Sequence, residues 1–319
     1  TSSKKNLDCW HVLGEERLLV EIEKTTGIAF SSLCLKRNSY INRVYEIEEK
    51  SSKCRRIVKF YRPNRWSKAQ ILSEHRVLDY LSERDFPVVK PDEINGETLF
   101  FLQDIPFALF PKFGGRSLDE FSTEQWQEIG RLVGRLHVAL ETVSDFERDI
   151  WRPELVTMAH LETIRRANLV PFELETQVFE SITQFVEKGR NALSEVSFFP
   201  IHGDCHRGNL IFRPDEGIRL IDFDDMVVGP AIQDLWMLLP DAYTECEKEI
   251  EWLASGYEVF RPFPRRELSV IPVLQSMRFI HFAAWCSVQK EDTHFKDTFG
   301  HLMDATFWRD MLRMLSQVT

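Results

Sequence analysis

The spacing of apolar and polar positions changes character near residue 115. Before it, β-branched and aromatic residues come in short runs. Arg43-Val-Tyr-Glu-Ile-Glu48 and Arg56-Ile-Val-Lys-Phe-Tyr61 flank the polar Glu49-Lys-Ser-Ser-Lys53, a pattern that predicts a β-hairpin. A helix should begin after Ser67. Ser67 and Gln70 have the spacing of a capping box, Trp66 and Ile71 can staple it, and Ile71, Leu78 and Leu81 follow at helical intervals. Apolar runs at 98–102 and 107–110 predict two further strands. Pro111 and the paired Gly114 and Gly115 then punctuate the chain.

Beyond that point the period becomes 3.6. Trp126, Ile129, Val133, Leu136 and Leu140 line one face of a predicted helix, with Ser122 and Gln125 as a second capping box. Gly130 and Gly134 on the same helix would let a neighbour approach closely, at some cost in helix propensity. Residues 155–195 and 230–319 read mainly as helices. They are interrupted by an apolar run at 198–201 and by Leu210-Ile-Phe212 and Ile218-Arg-Leu-Ile221, which flank the turn Pro214-Asp-Glu-Gly217. The expected architecture is α+β and bilobal, with a small antiparallel-sheet lobe over residues 1–110. A larger, mainly helical lobe is expected over 111–319.

Composition narrows the function classes. A chain of 319 residues that is 43% hydrophobic can bury a core without disulfide or metal staples. The formal charge of −10 lacks the basic field of a nucleic-acid binder. No apolar run is long enough to span a membrane. The six cysteines are scattered with no C-x-x-C spacing, so reduced thiols are expected. The opening TSSKKNLDCWHVLGEE has no apolar core of a secretion signal, and cytoplasmic residence and a monomer are the expectations.

The chemistry is concentrated in Ile201-His-Gly-Asp-Cys-His-Arg-Gly-Asn-Leu-Ile-Phe212 and the following Leu220-Ile-Asp-Phe-Asp-Asp225, a polar loop between apolar strands. Asp204 and Asn209 stand five apart, with His202 two before Asp204, as in the kinase catalytic loop H-R-D-L-x-x-x-N. Asp222-Phe223 follows one hairpin later, where a kinase carries D-F-G. Magnesium prefers hard oxygen ligands, which Asn209 and Asp222 can offer, and Asp204 can orient an acceptor hydroxyl and take its proton. Lys59, in the strand Ile57-Val-Lys-Phe-Tyr61, resembles the V-A-I-K lysine, and Glu74 on the next helix is its expected ion-pair partner. No G-x-G-x-x-G precedes the first hairpin. Ser39, in Lys36-Arg-Asn-Ser-Tyr-Ile-Asn42, stands there instead as a candidate phosphate contact through its N–H and hydroxyl. A competing reading takes His202, Asp204 and His206 as ligands of a metal-dependent hydrolase. A nucleotide-binding pseudokinase would require decay of a set that is present in full.

With these motifs assembled, the chain resembles the aminoglycoside phosphotransferase and choline kinase superfamily, a branch of the protein-kinase-like fold. The H-G-D-x-H-x-x-N loop and I-D-F-D carry the resemblance. It extends through Asn38 to Tyr45, Val58 to Pro63, Glu74-His75 and Gly229-Pro-Ala-Ile-Gln-Asp-Leu-Trp-Met-Leu-Leu239. The resemblance implies ATP and Mg2+ as cofactors, Asp204 as proton acceptor, Asn209 and Asp222 as metal ligands, and Lys59 paired with Glu74 at the phosphates. Ser39 would lie in the nucleotide loop, Phe110 to Phe113 would form a hinge against adenine, and Asp234 would cap catalytic-loop amides. The likeness outside the catalytic motifs implies a serine or threonine hydroxyl of a protein as acceptor. A small-molecule hydroxyl is the alternative, to which the acidic clusters at 141–149 and 241–251 would contribute if the acceptor is cationic. Gly203 and Asp224 depart from H-R-D and D-F-G, and no A-P-E segment follows.

Overall fold

The computed structural model describes residues 15–37, 39, 41–289 and 304–318. Two compact units are defined by their internal contacts. The first comprises 1–120, 142–148 and 207–224; the second comprises 121–141, 149–206 and 225–319. No single cut in the chain expresses this division, because the hairpin at 210–220 belongs to the first unit.

In the first unit, helix α1 (Glu15–Thr26) precedes strands β1 (Phe30–Arg37), β2 (Arg43–Glu49) and β3 (Arg55–Phe60), then helix α2 (Lys68–Ser82) and strands β4 (Phe100–Leu102) and β5 (Ile105–Pro111). The sheet is antiparallel throughout, in the order β1-β2-β3-β5-β4. The predicted hairpin is β2–β3, and the capping box at Ser67 is made as the spacing implies, with reciprocal bonds to Gln70. Period-two alternation along β3 sorts its side chains. Val58 and Phe60 enter a core with Leu18 and Ile22 of α1, Tyr45, Ile47, Phe107 and Leu109. On the other face Tyr61 and Ala108 pack with Ile71 of α2 and Leu99. Lys59 is on that second face, and only 9% of it is exposed. The strand lysine is therefore not on a solvated face.

Strands β7 (Leu210–Arg213) and β8 (Gly217–Leu220) form the second predicted hairpin. It is joined to residue 116 by reciprocal backbone bonds between Arg116 and Phe212. The close pass explains Gly115, where an added Cβ would lie 2.1 Å from Ile211 Cγ2.

The second unit is helical around one short ladder. Helix α3 (Thr123–Leu140) opens with the capping box at Ser122, and α4 (Met158–Ala167) and α5 (Phe172–Ala192) follow a π-helical turn at Pro153–Thr157. Strand β6 (Phe199–Ile201) pairs with β9 (Val227–Gly229), a three-residue strand too short for its pattern to predict. Helices α6 (Ala231–Trp236), α7 (Glu247–Tyr257), α8 (Ile271–Gln289) and α9 (Ala305–Ser316) complete it. The glycines of α3 have the use expected of them. Cβ atoms at Gly130 and Gly134 would meet Leu253 O and Tyr257 O of α7 at 2.1 and 2.8 Å. Among the described residues no helix is long and apolar enough to cross a membrane, and none of the five described cysteines forms a disulfide.

Candidate active site

In the first unit the charged side chains of the expected site, Lys59, Glu74 and Asp222, belong to one largely buried cluster with Arg65, Arg148 and Asp224. Hairpin register sets its first member. Leu210 pairs with Leu220, and the Asn209 carbonyl accepts the Ile221 N–H at 2.9 Å, so Asn209 and Asp222 stand at the open end of β7–β8. Asn209 is buried. The Asp222 side chain is 54% exposed, on a left-handed backbone with φ +61°. From β3, Lys59 Nζ reaches Asp222 Oδ1 at 3.2 Å and Asp224 Oδ1 at 3.3 Å. Burial alone would lower the Lys59 pKa, but Asp222, Asp224 and Glu74 outweigh it and raise it well above the usual lysine value.

Glu74 does not meet Lys59 in an ion pair. Its Oε2 accepts from Arg148 Nη2 at 2.9 Å, with both side chains shut off from solvent. Arg148 also donates to Asp224 O at 2.6 Å and Gln70 O at 3.1 Å, and it lies over the Trp66 ring. The expected Lys59–Glu74 pair is thus replaced by a relay. The two carboxylates of the 222–224 segment take the lysine, and an arginine no motif predicted takes the glutamate. Burial pushes the Glu74 carboxyl up to about 7, against the pull of Lys59 and Arg148.

Asp224 is the anchor of the cluster. Its side chain is 3% exposed, and its Oδ2 accepts from Asn42 Nδ2 at 3.0 Å and from Arg65 Nη1 at 2.5 Å. Burial raises its pKa, but Lys59, Arg65 and Arg148 together hold it well below the usual carboxylate range. A glycine in this place, as in D-F-G, would remove the carboxylate that Lys59 and Arg65 share. Ser39 is half-buried in the loop after β1; Asn38 and Tyr40 lie outside the described residues.

The second unit holds the loop His202–His206, fixed mainly through its backbone. Asp234, in the first turns of α6, accepts the N–H groups of His202 and Gly203 at 2.9 and 2.8 Å. Behind it, His137 Nε2 donates to Asp234 Oδ2 at 3.0 Å, and His137 Nδ1 accepts from the Tyr257 hydroxyl at 2.8 Å. Gly203 has φ +80°, and a Cβ there would come within 2.3 Å of Asp225 O. A conformation that only glycine adopts freely, pressed against a carbonyl, accounts for glycine where H-R-D has arginine. His202 Nδ1 accepts the Asp204 N–H at 3.3 Å, so this atom faces the loop's own backbone. No group of three or more His, Cys, Asp or Glu placed to hold a metal, as the hydrolase reading would need, occurs among the described residues.

Asp204 is bracketed by two side chains, with Arg278 Nη2 at 2.8 Å from Oδ1 and His206 Nε2 at 3.3 Å from Oδ2. Burial raises its pKa, but His206 and Arg278 outweigh it and hold the carboxyl well below the usual range. Acids of the clusters at 141–149 and 241–251 are partly compensated. Glu141 pairs with Arg261 at 2.8 Å and Glu251 with Arg265 at 2.5 Å. Arg148 and Arg278 are the residues sequence reasoning missed. Arg148 gives no local signal. Arg278 does, as the one permanently charged side chain in the 19 residues of α8.

A small antiparallel sheet that buries a lysine against the carboxylates of a hairpin mouth, in a chain whose remainder is helical, has the features of a kinase-like phosphotransferase. A sequence profile of the phosphotransferase enzyme family matches residues 35–268, and the chain belongs to that family. It is 33% identical over 287 residues to stress response kinase A of Escherichia coli strain K12, covering 88% of this chain and 85% of that protein. It is also 33% identical over 285 residues to the serine/threonine protein kinase RdoA of Salmonella typhimurium, covering 89% and 86%. Among solved structures, amicoumacin kinase hAmiN in complex with AMP-PNP, Ca2+ and Ami superposes with a TM-score of 0.75 at 19% identity, covering 96% of this chain and 97% of that one. The protein is a kinase of this family.

Proposed function

We propose that this kinase transfers the γ-phosphoryl group of ATP to a serine or threonine hydroxyl of a protein. The observation that carries the reading is the buried Lys59 ammonium held 3.2 Å from the Asp222 carboxylate, a cation kept in place by the acids that border the expected phosphate position. The name of the Salmonella typhimurium relative, a serine/threonine protein kinase at 33% identity, supports the protein acceptor.

The donor set fits a divalent cation. Asn209 and Asp222 offer one amide and one carboxylate oxygen at the hairpin mouth, hard ligands that leave room for phosphate and water. Such a cation would supply charge neutralisation of the polyphosphate. Lys59 binds phosphate oxygens, and Asp224 and Arg148 hold Lys59 and Glu74 in a fixed array from behind. The Lys59 ammonium and a divalent cation at Asn209 and Asp222 would together offset the repulsion of a polyanion by a chain of net charge −10. Ser39 contacts phosphate from the loop after β1, and the segment from Phe110 to Phe113 offers backbone groups to adenine. In the second unit Asp204 orients the acceptor hydroxyl and takes its proton. A carboxylate with a low pKa is a weak base, but a loose transition state asks for positioning more than for early deprotonation.

The test is γ-labelled ATP with magnesium, offered a general protein acceptor and then amino alcohols, sugars and aminoglycosides. Label on protein supports the reading; turnover on small molecules alone overturns it in favour of the alternative acceptor class, to which the amicoumacin kinase likeness points. Asp204→Ala should lower transfer by about 10²–10⁴-fold with nucleotide binding intact. Unchanged transfer would remove Asp204 from the role of base.

A further inference from the structure

Helix α8 is apolar along its length. It buries Val273, Leu274, Met277, Ile280 and Ala284, and Arg278 is its one permanent charge. That guanidinium is spent on the loop. Nη1 donates to Gly203 O at 3.1 Å and Nη2 to Asp204 Oδ1 at 2.8 Å, with 31% of the side chain exposed. The same peptide segment is held from its amide side by Asp234. An anion thus grips the N–H groups of the loop, and a cation grips its carbonyl and the functional carboxylate.

Two consequences follow from this geometry. A carboxylate on a short side chain rotates about χ1 unless something holds it, and here both oxygens have partners, Arg278 on one and His206 on the other. The pair Asp204–Arg278 is also electrically neutral. An uncompensated carboxylate at the acceptor hydroxyl would attract cationic acceptors, while a neutralised one does not.

We propose that Arg278 is a positioning residue that fixes the Asp204 carboxylate for transfer and, by neutralising it, turns the site toward hydroxyls in neutral or acidic surroundings and away from cationic acceptors. The proposal rests on the reading of Asp204 as the acceptor-side base. It assigns to α8, outside every catalytic motif, a part in both rate and acceptor choice.

The experiment uses the full chain as wild type, Arg278→Gln and Arg278→Lys, with two serine peptides that differ only in carrying Asp or Lys around the serine. Wild type should prefer the Asp-flanked peptide by about tenfold or more in kcat/KM. Arg278→Gln should lower kcat on that peptide by about tenfold and reduce the preference severalfold, with KM for ATP within about twofold of wild type. Arg278→Lys, which keeps the charge but not the fork, should restore the preference and part of the rate. A merely structural arginine would move both peptides equally and gain nothing from lysine, and that result overturns the proposal. So does a wild-type preference for the Lys-flanked peptide, which needs no variant to fold. If wild type labels neither peptide but turns over a small molecule, the protein-acceptor reading fails. The Arg278 proposal is then decided by the same variants on neutral and cationic forms of that molecule. Transfer that persists in Asp204→Ala would instead sink the base assignment on which both stand.

Discussion

The charged cluster around Asp224 and the loop around Asp204 both hold carboxylates of the candidate site, and they hold them differently. In the first unit, side chain meets side chain, as Lys59, Arg65 and Arg148 share Asp222, Asp224 and Glu74, all but the exposed Asp222 side chain with little solvent access. In the second, Asp234 holds backbone amides, and Arg278 and His206 meet the carboxylate itself. The difference suits two tasks. A site for a polyanion needs cations that stay put when empty, and mutual ion pairing among buried groups achieves that. A base needs a fixed direction, which backbone bonds set without surrounding it with charge. Variants of the first region should therefore act through stability and nucleotide affinity, and variants of the second through kcat.

The largest expected effect lies in the cluster. Asp224→Ala removes the buried carboxylate shared by Lys59, Arg65 and Asn42, breaking a buried ion-pair network, and should cost about 3–5 kcal/mol of stability by urea unfolding. Asp224→Asn should cost less, because it keeps the shape and one acceptor. A loss below about 1 kcal/mol for the alanine variant would mean that the cluster is not held by pairing and would break the comparison on its first side.

Next comes pH. The Glu74 carboxyl is raised from an ordinary value near 4.5 to about 7, with burial as the main cause. Over that window the folded protein keeps a proton that the unfolded chain has lost, so this contribution is present below about pH 4.5 and is lost as pH rises through about 7. Glu74→Gln cannot titrate. The stability of wild type minus that of the variant should therefore fall by up to about 3 kcal/mol between pH 4.5 and 8. Taking the difference removes His75, whose burial lowers its pKa to about 3 and which acts in the opposite sense. A flat difference would place Glu74 fully ionised throughout.

On the other side of the comparison, Asp234→Ala leaves two loop amides and His137 without their acceptor. It should cost about 2 kcal/mol and lower kcat, with KM for ATP unchanged. Steady-state kinetics with ATP varied at saturating acceptor separates the two. A rise in KM for ATP with kcat intact would place Asp234 on the nucleotide side and erase the division of labour.

How much of this could be read in advance differs between the regions for a physical reason. The positions of Lys59, Asp204, Asn209 and Asp222 were legible because each belongs to a motif whose spacing is set by a local strand, loop or hairpin. The β2–β3 and β7–β8 hairpins and both capping boxes were legible for the same reason. Helix α1 and strand β1 were missed; Phe30-Ser-Ser-Leu-Cys-Leu-Lys-Arg37 alternates poorly, and in the strand no residue after Phe30 is buried. The partners of the carboxylates were out of reach. Arg148 meets Glu74, and Arg278 meets Asp204, each across 74 positions, and nothing in the local pattern around either arginine names its partner. Lys59 was assigned to Glu74 by analogy of motif. The second carboxylate at Asp224, where a glycine was the reference, changes which acid the lysine can reach.

The smallest effect tests the comparison at the helices that carry these residues. Ser67 caps α2, which bears Glu74, and Ser122 caps α3, which bears His137, by the same reciprocal box with a glutamine three residues on. Ser67→Ala and Ser122→Ala remove the same side-chain oxygen and should each cost about 1 kcal/mol. Their local effects should part company. Hydrogen exchange should quicken in the first turn of α2 for one variant and in the first turn of α3 for the other. The Ser67 variant should weaken nucleotide binding slightly through Glu74 and Arg148, and the Ser122 variant should leave it unchanged. Equal losses of nucleotide affinity from both caps would show that the helix ends report on global stability alone, and that the two regions are not independent supports.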